Sequence, residues 1–250
     1  MGLWTKMHFI AIIPAFAVFI VIAALLRKFL KDSDGETKFI PLKVISVILI
    51  VLEAVKQVES IHADGYDFYS LPLHFCSLFL YLLPLHSFYR GKHRQVVEAV
   101  TISYMASLFL FMLIVPTVVF GEGSINTYFT SFSGFHTVTF HILVCLYFVL
   151  SLGMKTYSFD TKCDLKVNAL LGCAYMTVAI IFSHLLSTNY QNMLKCNFAP
   201  IESVGVAMVG SLGWIGQAIY TLVLFVMTIV FVYLAYFLTR GVMRLVDKRK

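Results

Sequence analysis

Five side chains able to take part in acid–base or nucleophilic chemistry lie within apolar stretches or at their ends: Glu59, His74, Cys76, His136 and His184. Each ionisable group in hydrocarbon costs on the order of 3 kcal/mol, so such groups indicate a functional site by default. A cysteine paired with a histidine can perform acyl transfer as nucleophile and general base. His74 and Cys76 are two positions apart, which on a helix directs them to nearly opposite sides, so His74 is a poor base for Cys76 unless Pro72 distorts the first turn. We therefore predict that His136, from another helix, deprotonates Cys76.

The composition predicts that these residues sit in a membrane. The chain has 250 residues, 60% of them apolar and 13% charged, against about 45–50% and about 25% in soluble domains. A helix of roughly 20 residues spans about 30 Å of hydrocarbon. Hydropathy predicts an all-α fold, a single domain over residues 1–250, with seven transmembrane helices at residues 7–26, 42–61, 71–89, 97–119, 131–153, 167–186 and 212–239.

The basic residues predict the orientation of this bundle. Sixteen of the nineteen lysines and arginines fall in the first, third and fifth loops and in the C-terminal tail; the other three are Lys6, Lys56 and Lys195. Basic loops stay on the cytoplasmic side, so we expect the N-terminus outside and the C-terminus inside. The net charge of +6 then predicts contacts of the cytoplasmic loops and tail with anionic lipid, and no nucleic-acid partner.

This topology places the five polar side chains at one depth near the outer surface, although they come from four helices. A shared level is expected of a site and not of scattered structural residues. The structural alternative for each residue alone is a hydrogen bond between helices. The second helix also carries Glu53 and Lys56, which together with Glu59 suit either a solute path or an intramembrane ion pair.

Metal and cofactor sites are not expected. Zinc held by histidines is the closest rival chemistry, but His136 and His141 are five positions apart, about 140° around a helix, and residues 212–239 contain no histidine. Five cysteines without a CxxC pair predict neither a disulfide framework nor a thiolate metal site. Residues 212–239 also lack a lysine, which excludes a retinal protein.

The run Leu71-Pro72-Leu73-His74-Phe75-Cys76-Ser77 resembles the opening of the third helix in the YwaF-type family of bacterial seven-helix membrane proteins. Weaker similarities follow in order at residues 132–136 (FSGFH), at Thr188-Asn189-Tyr190 and at residues 212–214 (LGW). Gln191 stands where that family has methionine, and the Pro-Trp found after the Gly-Trp in many members is absent.

The resemblance also extends to eukaryotic relatives typified by transmembrane protein 164, which look like acyltransferases that move acyl chains between phospholipids through an acyl-cysteine. It implies Cys76 as nucleophile, His136 as base, and a multi-pass protein of a bacterial plasma membrane. It further implies substrate-binding or supporting roles for His74, Ser77, Asn189 and Tyr190, to which the shared depth adds Glu59 and His184.

Two functions from different classes follow from these residues. The first is a phospholipid acyltransferase or lipase in which Cys76 attacks an ester carbonyl in the outer leaflet. The second is a non-catalytic membrane module, a small-solute carrier or the membrane subunit of an assembly, whose polar cluster binds a solute. A histidine-ligated zinc lipid hydrolase is a lesser alternative.

Overall fold

The computed structural model describes residues 4–30, 32–62, 65–120, 123–157, 159–196 and 198–248. Within these ranges the regular structure is helical, which confirms the all-α prediction. The α-helices are α1 (Lys6–Leu30), α2 (Ile40–His62), α3 (Phe79–Phe88), α4 (Arg94–Ile114), α5 (Pro116–Phe120), α6 (Phe132–Met154), α7 (Thr161–Leu185), α8 (Ala199–Leu212) and α9 (Trp214–Lys248).

Five of these helices, α1, α4, α6, α7 and α9, are long and apolar enough to cross a membrane. Helix α2, with 23 residues, is comparable in length to most of these five helices, but it carries the charged residues Lys43, Glu53, Lys56 and Glu59. The segment Phe75–Phe88 and helix α8 are apolar but shorter. The predicted first, second, fifth and sixth spans coincide with α1, α2, α6 and α7 to within six residues at either end.

The predicted third helix over residues 71–89 is wrong at its start. Leu71 and His74 are extended (ψ 141° and 159°), and one 3-10 turn, Phe75–Leu78, precedes α3. A residue before proline is pushed away from the helical region, so Pro72 keeps Leu71 extended. Cys76 therefore lies in a 3-10 turn and His74 outside any helix, and the expectation that a regular helix directs them to opposite sides does not apply.

The predicted fourth span over residues 97–119 is two helices. Helix α4 ends at Ile114, Val115 leaves the helical region (φ −138°, ψ 67°), and Pro116 begins the short α5. Proline cannot donate the backbone hydrogen bond that a continuous helix requires, but it suits the first position of a new one.

The predicted seventh span also differs from the structure. Helix α8 precedes it as an additional helix, and the chain turns at Gly213, whose positive φ of +57° favours glycine. Helices α8 and α9 approach so closely that a β-carbon on Gly216 would lie 2.1 Å from the Met208 carbonyl oxygen. Helix α9 has 35 residues, nine beyond the predicted end, and is roughly 52 Å long at 1.5 Å per residue.

Helices α4 and α6 form the centre of the bundle. Helix α4 packs against α3, α6, α7 and α9, while α6 also contacts α1 and α2. The buried residues of α4 include the small Ala99, Ser103 and Ala106, which allow close approach between helices. The amide of Asn168 on α7 donates to the Ser103 hydroxyl at 3.0 Å. Because α2 packs on both α3 and α6, polar side chains of these elements meet at one end of the bundle.

Helix α9 is fastened near both ends. At one end the Gln217 amide donates to the Leu194 carbonyl at 3.0 Å and the Thr221 hydroxyl to the Met193 carbonyl at 2.9 Å. At the other end the Tyr236 hydroxyl donates to Asp164 of α7 at 2.7 Å, and Lys155 Nζ lies 2.5 Å from Asp247 Oδ1.

Candidate active site

The centre of the polar cluster is a buried histidine–carboxylate pair between α6 and α2. His136 Nε2 lies 3.2 Å from Glu53 Oε2, and both side chains are about nine-tenths buried. The contact has the distance of an ion pair but not the alignment of a hydrogen bond, so Nε2 has no hydrogen-bond partner. Phe140, one turn along α6, stacks on the imidazole at 5.6 Å between ring centroids. The pair is thus held in place, with Nε2 buried against the carboxylate.

The other oxygen of the Glu53 carboxylate is bound by its own helix. Oε1 lies 2.8 Å from Lys56 Nζ and accepts a hydrogen bond from the Gln57 amide at 2.6 Å. These residues are three and four positions along α2, which puts them on one face. The same Gln57 nitrogen donates to the Ser70 carbonyl at 2.7 Å, and its oxygen accepts from the Tyr66 hydroxyl at 2.5 Å. Glu53 is therefore linked to the loop that leads to Cys76.

Tyr66 serves this network as a neutral donor. Burial raises the pKa of its phenol, and the negative charge of Glu53 acts in the same direction. The hydroxyl thus keeps its proton and its hydrogen bond to Gln57 over the physiological pH range.

Cys76 lies half-buried in the 3-10 turn that precedes α3. Its side chain packs against the main hydrophobic core of the bundle, and the buried Ser77 is its neighbour in the chain. Among the residues that the structure describes, the hydrogen bonds do not include one between Cys76 and His136. Catalytic hydrogen bonds are often long or poorly aligned before substrate binds, so this geometry leaves both residues as candidates.

A set of tyrosines fixes the extended segment before Cys76. His74 Nε2 donates to the Tyr69 carbonyl at 3.0 Å, and its ring lies against Tyr69 and Tyr190 at 4.4 and 5.4 Å between centroids. The fully buried Tyr190 donates its hydroxyl to the Phe68 carbonyl. Tyr175 of α7 donates to the carbonyls of Pro72 and His74 at 3.0 and 3.2 Å. His74 and Tyr190 thus position the turn that carries Cys76.

Three predicted site residues lie outside this cluster. Glu59 and His184 are exposed on the surfaces of α2 and α7. The Asn189 side chain organises its own loop: its nitrogen donates to the Lys195 carbonyl at 2.6 Å, and its oxygen accepts from the Leu194 and Lys195 amides at 3.0 and 3.2 Å.

Sequence reasoning missed Glu53, Gln57 and Tyr66 as members of the site. The i, i+3, i+4 spacing of Glu53, Lys56 and Gln57 was the available signal, since it predicts one shared face of α2. Nothing in the spacing indicates that this face meets α6. As for a zinc site, no group of three or more His, Cys, Asp or Glu side chains that could hold a metal ion occurs in the described part of the chain.

Long apolar helices that enclose a histidine–carboxylate pair and a few further polar side chains define a polytopic membrane protein. The chain belongs to the TMEM164 family, whose model matches residues 3–239. This match confirms the resemblance to transmembrane protein 164 inferred from the motifs, and the YwaF-type resemblance is compatible with it. Neither the curated proteins nor the solved structures contain a match to the chain.

Proposed function

We propose that this protein is a membrane phospholipid acyltransferase or lipase that works through an acyl-cysteine at Cys76. The observation that carries the proposal is the buried His136–Glu53 pair at 3.2 Å, which Gln57 links to the loop that leads to Cys76. A nucleophile, a base and a group that orients the base are the parts required for acyl transfer. Resemblance to acyltransferases of the same family supports this assignment.

In the proposed reaction His136 takes the thiol proton as Cys76 attacks the ester carbonyl carbon of a phospholipid. The tetrahedral oxyanion is stabilised by backbone N–H groups at the start of the 3-10 turn, because the first amides of a helix lack partners within it. When the carbon–oxygen bond breaks, the lysophospholipid alkoxide takes the proton from His136 and an acyl thioester remains. A second lipid hydroxyl, or water, gives its proton to His136, attacks the thioester and regenerates the thiol.

The proposal includes seven membrane spans, with the N-terminus outside and the C-terminus in the cytoplasm of a bacterial cell. Besides the five apolar helices, α2 crosses as a charged span, because Glu53 is matched by Lys56 and Gln57 inside the bundle. The 3-10 turn and α3 form the seventh crossing, while α8 folds back along α9. In this arrangement the cluster faces the outer leaflet of the plasma membrane, where phospholipids are the substrates.

Trapping the acyl-enzyme tests the chemistry directly. Purified protein incubated with a phospholipid labelled in its acyl chain should acquire a label that hydroxylamine releases. Cys76→Ala should abolish the label, because the attacking sulfur is gone. Cys173→Ala is the matched control, since Cys173 is a half-buried cysteine on α7 and should leave labelling unchanged. Normal turnover by Cys76→Ala would rule out this mechanism.

A second function, solute binding by a non-catalytic membrane module, is favoured by one observation. The Glu53–Lys56 ion pair at 2.8 Å offers one negative and one positive group, each of which could pair with an opposite charge on a polar solute. This alternative predicts that wild-type protein acquires no hydroxylamine-sensitive label from any phospholipid, so the same experiment separates the two functions.

A further inference from the structure

A second polar site lies among the basic ends of the helices, separate from the His136 cluster. A cleft of about 430 Å³ opens between Arg27 near the end of α1, Lys38 just before α2, Arg94 at the start of α4 and Lys155 just after α6. The acidic side chain that lines it is Glu98. Four elements distant in sequence thus bring four cations and one carboxylate to a single cavity.

Arg94 is held in position by its inner nitrogen and by an aromatic ring. Its Nε donates to Glu98 Oε1 at 2.8 Å, and its guanidinium carbon lies 4.8 Å from the centroid of the buried Phe39 ring. Nη1 is 3.8 Å from Glu36 Oε1, too far for a hydrogen bond. Among the described residues, neither Nη atom makes a hydrogen bond. A fixed guanidinium whose two Nη amino groups donate no hydrogen bond among the described residues is suited to a phosphate oxygen pair.

The cleft carries excess positive charge because Arg27 and Lys38 are not neutralised by any residue that the structure describes. In the part of the chain that the structure describes, neither Arg27 nor Lys38 has an acidic partner within 4 Å. Lys155 pairs with Asp247 at 2.5 Å. Helix dipoles contribute little net field here, because α2 and α4 begin at the cleft whereas α1 and α6 end there. The side-chain charges therefore determine which ligand fits.

Tyr157 adds a neutral donor at the rim of the cleft. Burial raises the pKa of its phenol to about 12, with Asp247 acting in the same direction, so the hydroxyl remains protonated. A ligand that uses this donor as well as the cations must carry several acceptor oxygens.

We propose that the cleft binds a phosphate-bearing anion, supplied either by an anionic phospholipid head group or by a soluble phosphate. Arg27 directly follows the apolar stretch of α1, which places the cleft at the level of lipid head groups and favours the lipid source. The proposal does not depend on whether Cys76 is catalytic. Anionic lipid would then bind at one site of defined residues, and not by a diffuse attraction to all the basic loops.

Titration calorimetry on the full-length protein in a neutral detergent tests the site. The probes are dihexanoyl phosphatidylglycerol, dihexanoyl phosphatidylcholine and inorganic phosphate. Phosphatidylglycerol should bind at least tenfold tighter than phosphatidylcholine, because the choline ammonium is repelled by the cleft. If inorganic phosphate binds more weakly than phosphatidylglycerol, the ligand is a lipid. If the two bind with equal affinity, the ligand is a soluble phosphate. Both results support the site. Equal binding of the two lipids would overturn it.

A pair of double variants ties the binding to the cleft. Arg27→Gln with Lys38→Gln should weaken phosphatidylglycerol binding about 30-fold, since each basic residue contributes about a fivefold effect at a membrane surface. Arg244→Gln with Lys248→Gln, which removes two charges from the end of α9, should weaken it less than about threefold. Equal losses in the two would show diffuse attraction and contradict the proposal.

Folding of the variants is checked by thermal unfolding. Arg27 is exposed and Lys38 half-buried, so their removal should leave the melting temperature unchanged. If the double variant unfolds early, Lys38→Gln alone should still weaken phosphatidylglycerol binding about fivefold. No weakening in that single variant would also overturn the site.

Discussion

Two buried histidines at different ends of the bundle have opposite surroundings. His86 of α3 uses both ring nitrogens: Nε2 donates to the Thr156 carbonyl at 2.8 Å, and Nδ1 pairs with the Tyr147 hydroxyl at 2.7 Å. His136 of α6 faces the Glu53 carboxylate at 3.2 Å, with its Nε2 left without a hydrogen bond. Their exposed fractions are similarly small, 1% and 8%, so burial alone does not distinguish them.

The difference lies in what each imidazole can do with a proton. Neutral partners on both nitrogens fix His86 in one state and cross-link α3, α6 and the segment after it. His136 instead faces a carboxylate, and its Nε2 lacks an aligned hydrogen bond among the described residues. A buried polar group without a hydrogen bond costs about 1–3 kcal/mol, so each one that a native protein keeps calls for an explanation. In the proposed function His86 is structural and His136 is the base.

The largest expected effect is on the rate of acyl transfer. His136→Gln should lower the turnover of labelled phospholipid roughly 10²–10⁴-fold, the range attributed to general acid–base catalysis, without lowering the melting temperature. His86→Gln is the control and should retain the wild-type rate per folded molecule. If the two variants lose activity equally, the distinction between the histidines fails.

A smaller loss is expected when the partner of His136 is changed. Glu53→Gln keeps the shape of the side chain but removes the charge that orients the imidazole, so kcat should fall roughly 10²-fold at unchanged KM. Glu59→Gln makes the same chemical change at an exposed position of α2 and should alter kcat less than twofold. A rise in KM alone in Glu53→Gln would assign Glu53 to substrate binding.

His86 should matter for stability. His86→Phe leaves the Thr156 carbonyl and the Tyr147 hydroxyl without their imidazole partner, and should reduce the free energy of unfolding by about 1–3 kcal/mol. Unfolding of detergent-solubilised protein by denaturant measures this loss. His136→Phe, by contrast, should change the free energy of unfolding by less than His86→Phe, and the reverse order would contradict the comparison.

The smallest effect concerns an exposed ion pair near His86. The Arg90 guanidinium, which stacks on Phe39 beside His86, lowers the pKa of Glu36 from 4.5 to about 2, and Lys43 acts in the same direction. A lowered pKa means that this stabilisation is complete above pH 4.5 and is lost as pH falls towards 2. The melting temperature of wild type should therefore exceed that of Glu36→Gln slightly at pH 6 and less at pH 3. An identical difference at both pH values would exclude this linkage.

The sequence predicted the helices more closely than their partners. Helix α6 is shifted by one residue from its predicted span at both ends, because hydropathy directly reports the length of an apolar segment. The break at Pro116 and the short α8 were missed, and the distortion at Pro72 was only an open alternative, since apolar character continues through these segments. The predicted depth in the membrane selected Glu59 as a site residue. In the structure Glu53 contacts His136 instead, six residues and roughly 9 Å away along α2. A depth estimated by counting residues along a helix ignores the tilt of that helix. Which helices pack side by side also leaves no periodic pattern in the sequence.

Helix α9 has a mechanical consequence. It is continuous for 35 residues, longer than the roughly 30 Å hydrocarbon layer requires. It is fastened at one end to the loop at Met193 and Leu194 and at the other to Asp164 and Lys155. An unbroken helix behaves as a stiff rod, so the two fastened ends are kept a fixed distance apart. Helix α9 is thus a strut between the two ends of the bundle.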